Sequence, residues 1–167
     1  MFGQTGSPDD GTEADRRFAV ILPSEPWAAS AIGDELREWL ELQSWPAEQR
    51  AAIVTATLEA VVNAIRHAYP PVELGGGGVL EVGGSVRVAA KVLAVDGQRR
   101  TQVRIEDEGT WDPLGVIHAE GGGLRRMTEL MDEVAVRRSE LGVSVDAVGT
   151  DRAGTRVVLL SPPAADG

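Results

Sequence analysis

No cysteine occurs among the 167 residues, which excludes disulfides and thiolate metal centres and fits a reducing cytoplasm. No apolar run approaches the length that spans a bilayer. The N-terminus has no basic start followed by an apolar core, so a signal sequence is not expected. Basic residues are few: 16 Lys and Arg stand against 26 Asp and Glu, giving a net charge of −10 and a pI near 4.6. Nucleic-acid binding needs a basic patch, and no cluster along the chain is large enough. An acidic surface instead favours basic protein partners. There are two histidines, His67 and His118. They are unpaired in sequence, and His67 reads as a structural residue at a helix end rather than a metal ligand.

What is present is enough for one domain. Hydrophobic residues make up 43% of the chain, sufficient to bury a full core. Residues 1–15 are rich in Gly, Ser, Asp and Thr and read as a disordered tail. The domain is expected over 16–162, with 163–167 as a C-terminal tail. Arg16 to Leu22 has strand character and stops at Pro23. Ser24 is placed to cap a helix with Pro26 in its first turn; that helix should run to about Gln43, with Ile32, Leu36, Trp39 and Leu40 on one side. A second helix begins near Pro46 and ends before Pro70–Pro71. Val54, Leu58, Val61 and Ile65 form its apolar stripe. Gly75 to Gly84 is a glycine-rich connector, either a loop or a bulged edge strand. Ser85–Val95 and Thr101–Glu106 alternate as strands about an Asp96–Gly97 turn, with Val86, Val88, Ala90, Val103 and Ile105 on the inner face. A helix carrying Leu124, Met127 and Met131 follows Gly121–Gly123. Strands are expected over 132–139 and 154–161, with a short one at 143–148.

Three places carry candidate chemistry. Glu59 and Asn63 are four apart and project together from the second helix. A carboxylate there can polarise a water or hydroxyl, and a carboxamide oxygen suits a magnesium ion that keeps most of its waters. Tyr69 sits at the helix exit, where it can pack or hydrogen-bond. Asp107 stands where a strand leaves the sheet and can accept a hydrogen bond from an exocyclic amine. Gly109, two residues on, allows a sharp turn or the close approach of a ligand. Glycines before a helix, at 121–123, expose backbone N–H groups to an anion.

Taken in order, the boxes are Glu59-x-x-x-Asn63 with Arg66-His67-Ala68-Tyr69, Asp107-x-Gly109 with Asp112-Pro113, Gly121-x-Gly123-Leu124 with Leu130-Met131-Asp132, and Gly154-Thr155. This set resembles the GHKL superfamily of ATPases, and within it the anti-sigma factor serine/threonine kinases, over about Phe18 to Leu160. The resemblance implies an α/β two-layer sandwich of the Bergerat ATP-binding type, with a mixed, mostly antiparallel sheet and helices on one face. It implies ATP and magnesium as cofactors. Glu59 would be the general base and Asn63 the magnesium ligand. Asp107 would hydrogen-bond the adenine amino group. Gly109, Gly121 and Gly123 would admit nucleotide and phosphates close to the backbone, with Leu124 beside them, and Thr155 would support the adenine end. The implied protein is a cytoplasmic anti-sigma regulator that sequesters a sigma factor and phosphorylates a Ser or Thr of an anti-anti-sigma (STAS) partner, as a possible homodimer, without direct contact to nucleic acid or membrane. The alternatives are an inactive ATP-binding-fold module acting by sequestration, and a stand-alone sensor-kinase-like ATPase domain. Two departures stand out. Thr110-Trp111 replaces the second box's further glycine, and the segment between Asp112 and Glu120 is short. Both fall where the γ-phosphate is enclosed, so they bear on turnover more than on adenine binding.

Overall fold

Alternation builds the sheet. Along β4 (Ser85–Val95), Val86, Val88 and Ala90 are buried while Arg87 and Lys91 are exposed, since successive side chains leave a strand on opposite faces. The computed structural model describes residues 17–81, 83–109, 122–139, 144–145, 151–152 and 154–165. Asp96 and Gly97 both take positive φ, 51° and 78°. That geometry matches the twist of the flanking strands in a two-residue hairpin, and it returns the chain as β5 (Gln98–Asp107) with Val95 opposite Gln98 and Val86 opposite Asp107. β1 (Arg17–Pro23) lies outside β4. The last strand, β9 (Thr155–Leu160), lies against β5, and β6 (Glu133–Arg138) lies beyond it. The order is β1-β4-β5-β9-β6, and every described pairing in it is antiparallel.

Three described helices cover one face: α1 (Pro26–Leu42), α2 (Ala47–His67) and α3 (Gly123–Leu130). Ile32, Leu36 and Leu40 of α1 and Ile53 and Val61 of α2 are wholly buried against Val86, Val103, Ile105 and Leu159 of the sheet. Burying each such side chain stabilises the fold by roughly 1.5–3 kcal/mol. The expected two-layer α/β sandwich is the architecture found. α2 is the middle helix, flanked by α1 and α3. Its buried face is therefore wider than one stripe. Ala56, Thr57, Ala60 and Ala64 are buried alongside Val54 and Val61, while Leu58 and Ile65 are only half-buried. No described helix is long and apolar enough to cross a membrane.

Ser24 does not cap α1. The N-cap position is Glu25, with no side-chain hydrogen bond. Ser24 instead pairs with Gly84: its N–H donates to the Gly84 carbonyl, and its Oγ accepts from the Gly84 N–H at 2.9 Å. The serine is better used closing the open end of β1 and β4 than capping a helix whose first residue is proline. The glycine-rich connector holds a hairpin of its own, β2 (Val72–Leu74) against β3 (Gly78–Leu80), separate from the main sheet. Of the short strand expected at 143–148, the described part is β7 (Ser144–Val145), paired with β8 (Asp151–Arg152). Beyond Pro162, Ala164 donates to the Arg99 carbonyl, and the Gln49 side chain holds both Pro163 and Ala165. These residues are fastened to the start of α2.

Candidate functional site

A cleft opens between the C-terminal half of α2, the ends of β5 and β9, and α3. Ala60, Asn63, Ala64, His67 and Ala68 form one wall, Ile105, Asp107, Thr155 and Val157 the floor, and Met127 the far side. The cleft exists because α2 places alanines over this part of the sheet, where leucines would fill the gap. The walls are apolar, and the polar groups among them are few, which is the usual make-up of a small-molecule site.

Asp107 is the deepest of those polar groups, 3% exposed at the end of β5. One carboxylate oxygen, Oδ1, accepts from the Gly109 N–H at 3.0 Å and the Thr155 N–H at 3.2 Å. Burial pushes the carboxyl from 3.8 up to about 6, and the two N–H donors pull against that rise. Two glycines let the backbone wrap this closely. Gly154 has φ 64°, and a Cβ there would meet the Asp107 carbonyl oxygen at 1.9 Å. A Cβ on Gly109 would meet the Ala68 carbonyl oxygen at the same distance. The close approach that Gly109 permits is thus to the end of α2.

Glu59 and Asn63 stand at the α3 end of the cleft. A Cβ on Gly123, the first residue of α3, would lie 3.2 Å from Glu59 Oε2 and 3.3 Å from Asn63 Nδ2. The Asn63 Nδ2 is buried with no hydrogen-bond partner, an uncommon and costly state for a buried amide. Glu59 is half-buried, and its Oε1 lies 3.3 Å from Arg126 Nη1 on α3. Tyr69 both packs and hydrogen-bonds. Its hydroxyl donates to the Ser85 carbonyl at 2.7 Å and accepts from the Glu108 N–H at 3.0 Å, joining the end of α2 to β4 and to the turn after Asp107. Burial raises its pKa above 10.0.

The family model for histidine kinase-like ATPase domains matches residues 22–148. The chain belongs to that family. A histidine kinase-like ATPase domain binds nucleotide, and the cleft is where the residues that resemble the family's boxes meet. A solved structure of the RsbU and RsbW domains of Rv1364c from Mycobacterium tuberculosis is similar with a TM-score of 0.60 and 24% identity, covering 90% of this chain and 33% of that one. The likeness is one of fold, and this chain spans about a third of that one's length. No curated protein matches the chain.

Of the residues expected in the site of this ATPase domain, Asn63, Asp107 and Thr155 line the cleft. Glu59 and Gly123 stand beside Asn63, and Leu124 is half-buried against the core. Gly121, Trp111 and the short segment from Asp112 to Glu120 lie outside the described residues. His67 is exposed at the end of α2 and lines the mouth of the cleft. Sequence reasoning missed Ala60, Ala64 and Met127, because small and apolar residues in a cleft look like core residues in a sequence. It also missed Arg126, which meets Glu59 across 67 residues of chain with no local signal.

The unpartnered Asn63 amide and the bare Cα of Gly123 fit a group that brings its own polar atoms, such as a nucleotide phosphate with its cation. Gly123→Ala tests this. Alanine suits a helix better than glycine, so stability should change by less than about 1 kcal/mol. The added methyl crowds Glu59 and Asn63, and ATP affinity should fall by roughly tenfold, about 1.4 kcal/mol. Calorimetric titration beside a melting curve separates the two effects.

Proposed function

We propose that this ATPase domain binds ATP with magnesium and acts as an anti-sigma regulatory kinase, holding a sigma factor and phosphorylating a Ser or Thr of a STAS partner. The observation that carries the reading is the placement of a buried, backbone-held Asp107 at one end of a cleft and of Glu59, Asn63 and Gly123 at the other. The partners follow from the resemblance of the motifs.

Asp107 accepts from the adenine amino group, while Ala60, Ala64, Met127 and Val157 exclude water around the base. Asn63 offers one neutral oxygen to the cation once its amide is turned that way. The rest of a magnesium ion's ligands would come from phosphates and water, as is usual for that ion. Magnesium, when bound, neutralises β- and γ-phosphate charge in transfer. Glu59 takes the proton of the acceptor hydroxyl as its oxygen bonds to the γ-phosphorus and the bond to the β-phosphate oxygen breaks, releasing ADP. Arg126 keeps the Glu59 carboxylate oriented. That same pair supports a second reading, in which Glu59 is committed to Arg126 and the domain works by sequestration alone.

A thermal shift series tests nucleotide binding. A ligand that binds only the native state stabilises it by about 2.7 kcal/mol at a hundredfold excess over Kd. The melting temperature should climb with ATP and magnesium and much less with GTP and magnesium. No shift at millimolar ATP would overturn the proposal.

A further inference from the structure

None of the three described helices packs on the other face of the sheet, and the strand register gathers basic residues there. One row across the strands reads Ile21, Arg87, Glu106, Arg156, Arg137, and the next reads Ala19, Ala89, Arg104, Val158, Ala135. Arg17 and Lys91 stand opposite each other in the third. A chain of net charge −10 thus places Arg17, Arg87, Lys91, Arg104, Arg137 and Arg156 on one surface, where Arg87 pairs with Glu108 at 3.1 Å and Glu133 of β6 is exposed. No linear cluster betrays this, because each strand contributes basic residues only at alternate positions.

Glu106, the acid in the middle, is 5% exposed and held between Arg104 at 3.7 Å and Arg156, so it offers little repulsion to an approaching anion. Among the described residues, Lys91 and Arg137 form no ion pair. Between the charges lie aliphatic side chains: Ile21 is 65% exposed, and two shallow depressions run over Ala19, Ala89 and Arg104. Among the described residues, β1 is an edge strand of the sheet.

We propose that this face docks an acidic protein segment in which carboxylates alternate with aliphatic residues. Charge complementarity selects the sign of the partner. The aliphatic floor and the β1 edge position select a polypeptide, which can fill the one and add main-chain hydrogen bonds along the other. A nucleic acid is disfavoured on two counts. No aromatic side chain stands among the described residues of this face to stack a base, and the aliphatic residues between the charges give a phosphate backbone nothing to pair with. A second copy placed face to face would set arginines against arginines. The surface lies on the opposite side of the sheet from the cleft, and its occupancy does not depend on nucleotide.

The test is fluorescence anisotropy with a short labelled peptide alternating glutamate with leucine, using the full chain. Lys91→Glu with Arg137→Glu should weaken binding by at least about tenfold, and Lys91→Gln with Arg137→Gln by an intermediate factor. Arg37→Glu with Arg50→Glu makes the same change in net charge on the helical side and should leave binding within about twofold. Unchanged melting curves establish that the variants fold. Failure of the wild type to bind the peptide, or equal loss in both glutamate pairs, overturns the proposal. Tighter binding of a short DNA duplex overturns it in favour of nucleic acid. Self-association in sedimentation that vanishes in Lys91→Glu with Arg137→Glu assigns the face to a second copy instead.

Discussion

Glu59→Ala is expected to abolish phosphate transfer to a STAS partner while ATP still binds. A positioned general base contributes roughly 10²–10⁴ in rate, and its loss falls on the transition state rather than on the bound nucleotide. Glu59 is well placed for that separation. It stands beside Gly123, at the end of the cleft proposed for phosphate, and does not line the floor around Asp107. Asn63→Ala should behave differently, because it removes the proposed cation ligand and should lower both affinity and turnover. The measurement is transfer of radiolabelled γ-phosphate, with affinity followed by calorimetry. If wild type and Glu59→Ala transfer phosphate equally poorly and both retain the sigma factor, the kinase assignment fails and sequestration becomes the better account. Arg126→Ala adds a discriminating control. If the arginine only orients the base, its loss lowers turnover; if it locks the base away, turnover rises.

Asp107→Asn should separate stability from binding, raising the first and weakening the second. An asparagine keeps an oxygen where Oδ1 accepts from Gly109 and Thr155, and it removes a charge that burial makes costly. The folded carboxyl sits at about 6 against 3.8 unfolded. A raised acid pKa means that the folded state favours the protonated form, so stability is full below about pH 4 and is lost as pH rises through 6. At pH 7 the difference amounts to about 2–3 kcal/mol, and the variant should melt several degrees higher, at roughly 2–4 °C per kcal/mol for a chain of this size. The gap should close by pH 4. Nucleotide binding runs the other way. The variant presents an amide donor to the adenine amino group and loses a charge-assisted hydrogen bond worth about 1–3 kcal/mol. Wild-type affinity should itself decline as pH falls below 6. A variant that melts lower than wild type at pH 7 would contradict the electrostatic account of this aspartate.

Why some of this was legible in the sequence and some was not has physical reasons. Elements whose periodicity is local were clear: α1, α2, and the β4–β5 hairpin around Asp96–Gly97 needed only alternation, helical spacing and turn chemistry. The boxes around Glu59, Asp107, Gly123 and Thr155 were visible because each is a short run with its own chemistry. Properties that arise between elements were hidden. Ser24 was expected to serve a helix and instead closes a strand pair, since Gly84 is 60 residues away. Gly109 is read in the sequence as allowing a sharp turn or the close approach of a ligand, and its missing Cβ also makes room for the end of α2. The basic sheet face is the extreme case, because it depends on the register of five strands at once.

The strand order carries a consequence for synthesis. β9 sits between β5 and β6, so the sheet stops at β5 and β6 has no neighbour in it until the chain has been made past Leu160. Asp107 is translated 48 residues before Thr155, whose N–H it needs. At 5–20 residues per second that interval is roughly 2–10 s, during which β5 has a bare hydrogen-bonding edge and a carboxylate without one of its two donors. Such an edge invites pairing with other chains. The nascent protein should therefore be most vulnerable to aggregation and to chaperone capture in the interval between making the aspartate and making the strand that shelters it.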